Sequence, residues 1–297
     1  MNNKVRRTML FLNTQRAALV KDAFVYRPDC VIFDLEDAVA QGEKDSARVQ
    51  LFYTLQELDY QGVERWVRIN GLDTDLYEED IRAAIAGGCD GIRMPMTESA
   101  QDVVLVEQLI EKAEEEFNRP VGSTMIMAAL ESPLGVMNAY DIAKASSRMM
   151  GIALSAGDFR RTMHAKVTEH GFELLAARSQ IVMAARAAGV MAFDTVYTDV
   201  NNSKGFKAEV QLISEMGFDG KSCISPQQVI ETHEVLAPTS DEIHHAQRII
   251  NAIEQNKKEG VGVLVVDGMM VDIAMVEGAQ RVIELAKVSG LYEEEIE

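Results

Sequence analysis

Eight short apolar runs recur along the chain at a steady interval, and all but the last lead into a stretch of helical periodicity. They cover residues 8–12, 30–33, 66–69, 91–94, 124–129, 149–154, 193–197 and 221–224. The helical patterns cover 17–26, 44–58, 78–86, 100–117, 136–146, 173–188 and 206–216, several closed by glycine at Gly87-Gly88, Gly189 and Gly217. Runs this short and this apolar read as parallel strands buried on both faces, because crossover helices cover such a sheet. Eight strand–helix units in that order predict the α/β class and a (β/α)8 TIM barrel. A doubly wound open sheet is the competing arrangement, since periodicity alone does not separate the two. The absence of G-x-G-x-x-G after the first run weighs against its dinucleotide-binding form.

After Pro238 the rhythm changes. Thr239-Ser240-Asp241-Glu242 reads as a cap for a helix over 243–254. Residues 260–266 and 269–271 flank Asp267-Gly268 as a small hairpin, and a further helix runs to Val288. This predicts a catalytic barrel over 1–237 and a C-terminal helical and hairpin extension over 238–297, serving as a lid or a subunit-contact segment.

A net charge of −18 argues against nucleic acid and anionic membranes as partners. No apolar span of about 20 residues and no signal-peptide pattern is present, so a cytoplasmic protein is expected. Cys30, Cys89 and Cys223 are widely spaced, lack any C-x-x-C or Cys/His metal spacing, and read as buried free thiols.

In a barrel of this kind the chemistry sits just beyond the C-terminal ends of the strands. The residues there are polar: Asp34, Glu36 and Asp37 after strand 2, Arg68 and Asn70 at strand 3, and Arg93 at strand 4. Glu131 and Ser132 follow strand 5, Asp158 follows strand 6, and Asp194 and Asp199 accompany strand 7. Three acids at one strand end repel unless a cation or a helix N-terminus receives them. Asp34 suits an N-cap for a helix over 38–55, which leaves Glu36 and Asp37 to be explained. Glu131 and Asp158 end neighbouring strands, and two carboxylates completed by water suit Mg2+; an ion pair with Arg68 or Arg93 is the alternative. Asp37 is placed to hydrogen-bond the metal's waters. Arg68 offers a two-pronged fork for a carboxylate or oxyanion, or a salt bridge to the strand 2 acids, and Arg93 lines the barrel. Arg160, Arg161, His164 and Lys166 form a basic stretch suited to a phosphate-bearing substrate, or a solvated loop.

Taken together these segments resemble the citrate lyase β subunit and citryl-CoA lyase-like family of the HpcH/HpaI aldolases, with malyl- and citramalyl-CoA lyases as relatives. The resemblance rests on 7–11, 31–39 with 43–48, 67–70, 93–95, 129–135, 192–197 with Asp199, 217–222, Pro226 with Gln228, and 268–272. It implies a trimeric (β/α)8 barrel with Mg2+ held by Glu131 and Asp158. It also implies substrate contacts at Arg68, Arg7 and Glu131, and catalytic roles for Arg68, Glu36, Asp37 and Asp272, the last supplied by a neighbouring subunit. The implied substrate is a thioester of CoA or of an acyl carrier protein, and the other subunits of a citrate lyase complex are implied partners.

The chemistry so implied is a Mg2+-dependent cleavage of a citryl-like 3-hydroxyacyl thioester to a 2-oxoacid, oxaloacetate or pyruvate, and an acetyl thioester. Asp272 or Glu36 takes the hydroxyl proton and Arg68 steadies the developing charge. The alternatives are a citramalyl- or malyl-CoA lyase on free CoA thioesters, a metal-dependent aldolase on free oxoacids, and a barrel that binds thioesters without turning them over. The chain departs from the family pattern at Asn13-Thr14, where relatives carry Pro-Gly, and at Ser155-Ala156-Gly157-Asp158. Met96 and Met269 stand where relatives carry basic residues, so the rim has two fewer positive charges.

Overall fold

The computed structural model describes residues 4–259, 264–266, 269–271 and 274–292. Eight strands close into a barrel: β1 (Thr8–Asn13), β2 (Cys30–Asp34), β3 (Glu64–Arg68), β4 (Gly91–Met94), β5 (Met125–Leu130), β6 (Met149–Leu154), β7 (Met191–Asp194) and β8 (Gly220–Cys223). Each is parallel to the next, and β8 returns to β1 with Thr8 opposite Lys221. The outer layer is α1 (Ala17–Val20), α2 (Lys44–Glu57), α3 (Tyr77–Gly87), α4 (Ala100–Glu116), α5 (Pro133–Met137), α6 (Ala139–Lys144), α7 (Ala156–Thr162), α8 (Leu175–Ala188), α9 (Ser203–Glu215) and α10 (Pro226–Leu236).

The period of two along each strand decides what lies inside. Met9, Cys30, Ile32, Trp66, Met127, Ala153 and Phe193 meet in the interior. Two glycines make room for the large rings. A Cβ on Gly91 would lie 2.3 Å from the Trp66 ring, and one on Gly151 would lie 2.8 Å from the Phe193 ring. Buried Arg6 closes the N-terminal end by donating to both oxygens of Glu64, at 2.7 and 2.8 Å. Following the same alternation upward brings Asn13, Asp34, Arg68, Arg93 and Glu131 to the inner face at the C-terminal rim.

Several boundaries differ from the sequence expectation. Strand β7 stops at Asp194, three residues short of the expected end, despite the β propensity of Thr195, Val196 and Tyr197. Its ladder to β8 ends at Asp194 opposite Lys221, and Thr195 turns out to bond elsewhere. Asp34 caps no long helix: it accepts the N–H groups of Glu36 (3.0 Å) and Ala38 (3.1 Å) in a tight turn, and α2 begins only at Lys44. Lys44 pins that turn, its Nζ donating to the carbonyls of Leu35 and Glu36 at 2.7 Å each.

The chain divides into two compact units, one spanning Arg6–Thr232 and the other built from His233 onward with the first residues. In the second, α11 (Ser240–Glu259) and α12 (Ala274–Val288) pack through Ile243, Ala246, Ile249, Ile253, Ala279, Ile283 and Ala286. Thr239 and Glu242 cap α11 reciprocally, with Glu242 accepting the Thr239 N–H at 2.7 Å. Strands β9 (Leu264–Val266) and β10 (Met269–Val271) pair antiparallel, while the expected turn at Asp267-Gly268 lies outside the described residues. Among the described residues no helix is long and apolar enough to cross a membrane.

Candidate active site

Arg68, the last residue of β3, is the most heavily bonded group at the rim. Asp34 grips it at two points, Nε to Oδ1 at 2.7 Å and Nη2 to Oδ2 at 2.6 Å. Its remaining Nη1 lies 2.7 Å from Glu36 and 3.4 Å from Asp37. Burial disfavours the Arg68 cation, but the Asp34 hydrogen bonds and the three carboxylate charges outweigh it and hold the group firmly protonated. Below it lies the Phe11 ring, with the Arg68 guanidinium carbon 5.2 Å and the Arg93 carbon 5.0 Å from its centroid.

Glu131 follows β5 directly and is 3% exposed. The chain turns sharply after it because Pro133 opens α5 and Ser132 caps it, accepting the Gly135 N–H at 3.1 Å. Gly135 is required there, since a Cβ would stand 2.5 Å from the Thr97 carbonyl oxygen. Burial pushes the Glu131 carboxyl up to about 7; Arg68, Arg93 and the Met96 N–H oppose the rise, and the Asp158 charge adds to it. Its Oε1 has no hydrogen-bond partner among the described residues.

Asp158 sits in the first turn of α7. That turn is seated by Thr195, whose Oγ1 accepts the Ala156 N–H at 2.9 Å. The Asp158 carboxylate takes two bonds from Arg161, at 2.9 and 2.7 Å, one helical turn away and largely exposed. Among the described residues no group of three or more His, Cys, Asp and Glu side chains forms a ready metal cage. A two-carboxylate set still fits Mg2+, which retains several waters. The orphaned Glu131 oxygen and the mutual repulsion of Glu131 and Asp158 are what a divalent cation would relieve.

Glu36 is the second carboxyl whose proton is held tightly. Burial pushes it up to about 8; Arg68 opposes, while Glu131, Asp37 and Asp34 reinforce the rise. A folded-state value above the unfolded one means the metal-free protein binds this proton more tightly than the unfolded chain does. The associated stability is therefore complete below about pH 4.5 and is lost as pH rises toward 8. Thermal melts of the metal-free protein at pH 5.5 and pH 8.5 are expected to show a decline that Glu36→Gln flattens. An identical slope in the variant would contradict the assignment.

Three expected features fall elsewhere. Arg7 precedes β1 at the N-terminal end of the barrel, where its Nε and Nη2 donate to Asp29 at 3.0 Å each, so it is no rim contact for a substrate. Asp194 follows inward-facing Phe193 and so points outward, buried between β7 and its covering helices. In the basic stretch Arg160 is paired with Glu173 at 2.7 Å and Arg161 with Asp158, so little free positive charge remains on these two arginines. Asp272 lies outside the described residues. Met96 occupies the rim after β4 with a left-handed φ of 43°.

The barrel rim holds an arginine fork, a buried glutamate and an aspartate in the first turn of α7, and the chain that carries it belongs to a family of carbon–carbon lyases. Residues 7–226 match the family model described as HpcH/HpaI aldolase/citrate lyase. Over 294 residues the chain is 51% identical to the citrate lyase subunit beta of Leuconostoc mesenteroides subsp. cremoris, covering 99% of this chain and 97% of that one. Among solved structures it resembles the CitE protein of Mycobacterium tuberculosis in complex with magnesium, acetoacetate and coenzyme A. That match has a TM-score of 0.76 at 27% identity and covers 95% of this chain and 98% of that chain. A structure of the citrate lyase beta subunit of the same organism with oxaloacetate and magnesium matches with a TM-score of 0.66 at 28% identity, covering 79% and 98%.

Proposed function

We propose that the protein is the β subunit of a citrate lyase, cleaving a citryl thioester to oxaloacetate and an acetyl thioester with Mg2+ held by Glu131 and Asp158. The observation that carries this reading is the buried Glu131 oxygen, without a partner among the described residues and within electrostatic reach of Asp158 and the Arg68 fork, in a chain of this family. The bound metal supplies Lewis-acid polarisation of the substrate's hydroxyl and adjacent carboxylate.

The protein's own groups do the rest. Asp34 locks the plane of Arg68 with two hydrogen bonds, so Nη1, paired here with Glu36, is the donor a substrate anion reaches by displacing that carboxyl. Its charge stabilises the thioester enolate oxygen as negative charge develops there. Asp272, with Glu36 as the alternate, accepts the hydroxyl proton. The bond between the carbinol carbon and the thioester α-carbon then breaks, its electron pair passing to the enolate, which takes up a proton to give the acetyl thioester. Asp37, exposed beside Arg68, holds water at the mouth. The segment after His233 delivers Asp272 across the interface of a homotrimer, and the other citrate lyase subunits present the acyl carrier.

Purified protein with Mg2+ is expected to release oxaloacetate from citryl-CoA, followed by coupled reduction with malate dehydrogenase and NADH, with no release after chelation by EDTA. Oxaloacetate release that is indifferent to EDTA, or absent with citryl-CoA under all conditions, would refute the reading.

A further inference from the structure

Arg93 is hard to account for as filler. It stands on the inner face of β4, 2% exposed, where an apolar side chain would fill the space without bringing in a charge. Among the described residues no carboxylate lies within ion-pair distance of it, although the charges of Glu131, Glu36 and Asp34 are near enough to favour its cation. Among the described residues its Nε has no acceptor, and its Nη1 faces only the weak acceptor Met127 Sδ at 3.5 Å. Burial first, and the neighbouring Arg68 charge second, push its pKa down to about 10, so the cation persists at neutral pH at a cost in stability. The Phe11 ring supports both guanidinium groups, at 5.2 and 5.0 Å, and so sets the Arg93 fork beside Arg68. A desolvated fork with open donors is a site for a planar anion.

The chemistry of the substrate says which anion. A citryl thioester carries a carboxylate on the carbinol carbon and a second one a methylene further on. A citramalyl thioester has a methyl group in place of that CH2–carboxylate arm, and a malyl thioester has a hydrogen. The metal and Arg68 serve the groups all three share. We propose that Arg93 is the specificity-determining residue that pairs with this second carboxylate, selecting citryl thioesters over their citramalyl and malyl counterparts. The assignment rests on the function proposed above and names its substrate determinant.

Kinetics on citryl-CoA and citramalyl-CoA test it, with Arg93→Met and Arg93→Lys beside the unaltered protein. Arg93→Met removes an unpaired buried charge and keeps an apolar stem, so it should melt no lower than the parent. It is expected to lower kcat/KM for citryl-CoA about 100-fold while leaving citramalyl-CoA within about threefold, and Arg93→Lys should lie between. Calorimetry gives a second reading that does not depend on turnover: the parent should prefer oxaloacetate to pyruvate, and Arg93→Met should lose that preference. Equal losses on both thioesters would mean that Arg93 only tunes Glu131, and would overturn the assignment while the lyase reading stands. A parent inactive on both would overturn that reading, and the assignment with it.

Discussion

Glu131→Gln is expected to abolish Mg2+ binding and lower kcat/KM for citryl-CoA by at least about 1,000-fold, a barrier increase of about 4 kcal/mol. The amide keeps the volume of the side chain and loses its charge. The loss is expected because, on the proposed function, Glu131 serves as a ligand at the expense of the metal-free fold. Its carboxyl is buried, carries an oxygen with no partner among the described residues, and feels the charge of Asp158. Asp158→Asn should have an effect of the same order. Its present partner Arg161 is a largely exposed helical neighbour and is easily displaced, since surface ion pairs contribute little. The diagnostic is metal affinity, measured by calorimetry with Mg2+ or by electron paramagnetic resonance with Mn2+. Because Glu131→Gln removes a buried carboxylate whose charged form burial disfavours, the metal-free variant should melt at or above the parent. A double variant, Glu131→Gln with Asp158→Asn, that still bound metal and turned over at the parental rate would remove the metal site altogether.

The barrel was legible because eight apolar runs of strand length, spaced by helical periodicity, leave few arrangements that bury both faces of every strand. β4 and β6 fall on their expected residues, 91–94 and 149–154. The ends of strands were less legible. β7 was expected to run through Thr195, Val196 and Tyr197, whose side chains favour strands. Its actual end is set by where β8 stops offering a ladder, which is a tertiary fact. Placing Glu131 and Arg68 at strand ends was enough to put both on one rim, while Asp158 stands beyond β6 in the first turn of α7. The salt bridge from Arg68 to the strand 2 acids was one of the two expected arrangements and is the one present, but nothing in the spacing told that Arg161 reaches Asp158 or that Arg7 is spent on Asp29 at the opposite end. Arg93 was expected to line the barrel, and it does. On β4 it alternates with Gly91, which must face inward to make room for Trp66, so a period of two aims Arg93 into the same interior.

Asp194→Ala is expected to destabilise the protein by about 3–5 kcal/mol, enough to lower Tm by about 10 °C. Asp194 is fully buried, and its carboxylate is shared by two cations that are also fully buried. Arg178 grips it at two points at 2.9 Å each, and Lys221 Nζ donates at 2.7 Å. Burial alone would raise the Asp194 pKa, yet Lys221 and Arg178 reverse this and hold it below the usual carboxylate range. Glu209 completes the cluster, 3.0 Å from Arg178 and 2.6 Å from Lys221, so two positive charges meet two negative ones. Removing Asp194 leaves one buried cation in excess, which is far more costly than losing a balanced pair. The sharper expectation is therefore a rescue: adding Lys221→Met to Asp194→Ala restores the balance of charge and should recover Tm toward the parent. Activity should not recover with it. Lys221 also donates to the Thr195 carbonyl at 2.6 Å, and Thr195 seats the first turn of α7, from which Asp158 projects. Thermal melts and Mg2+ titrations of the single and double variants separate the two roles. A double variant that melts below Asp194→Ala would show that the cluster stabilises the fold through its individual contacts and not through charge balance.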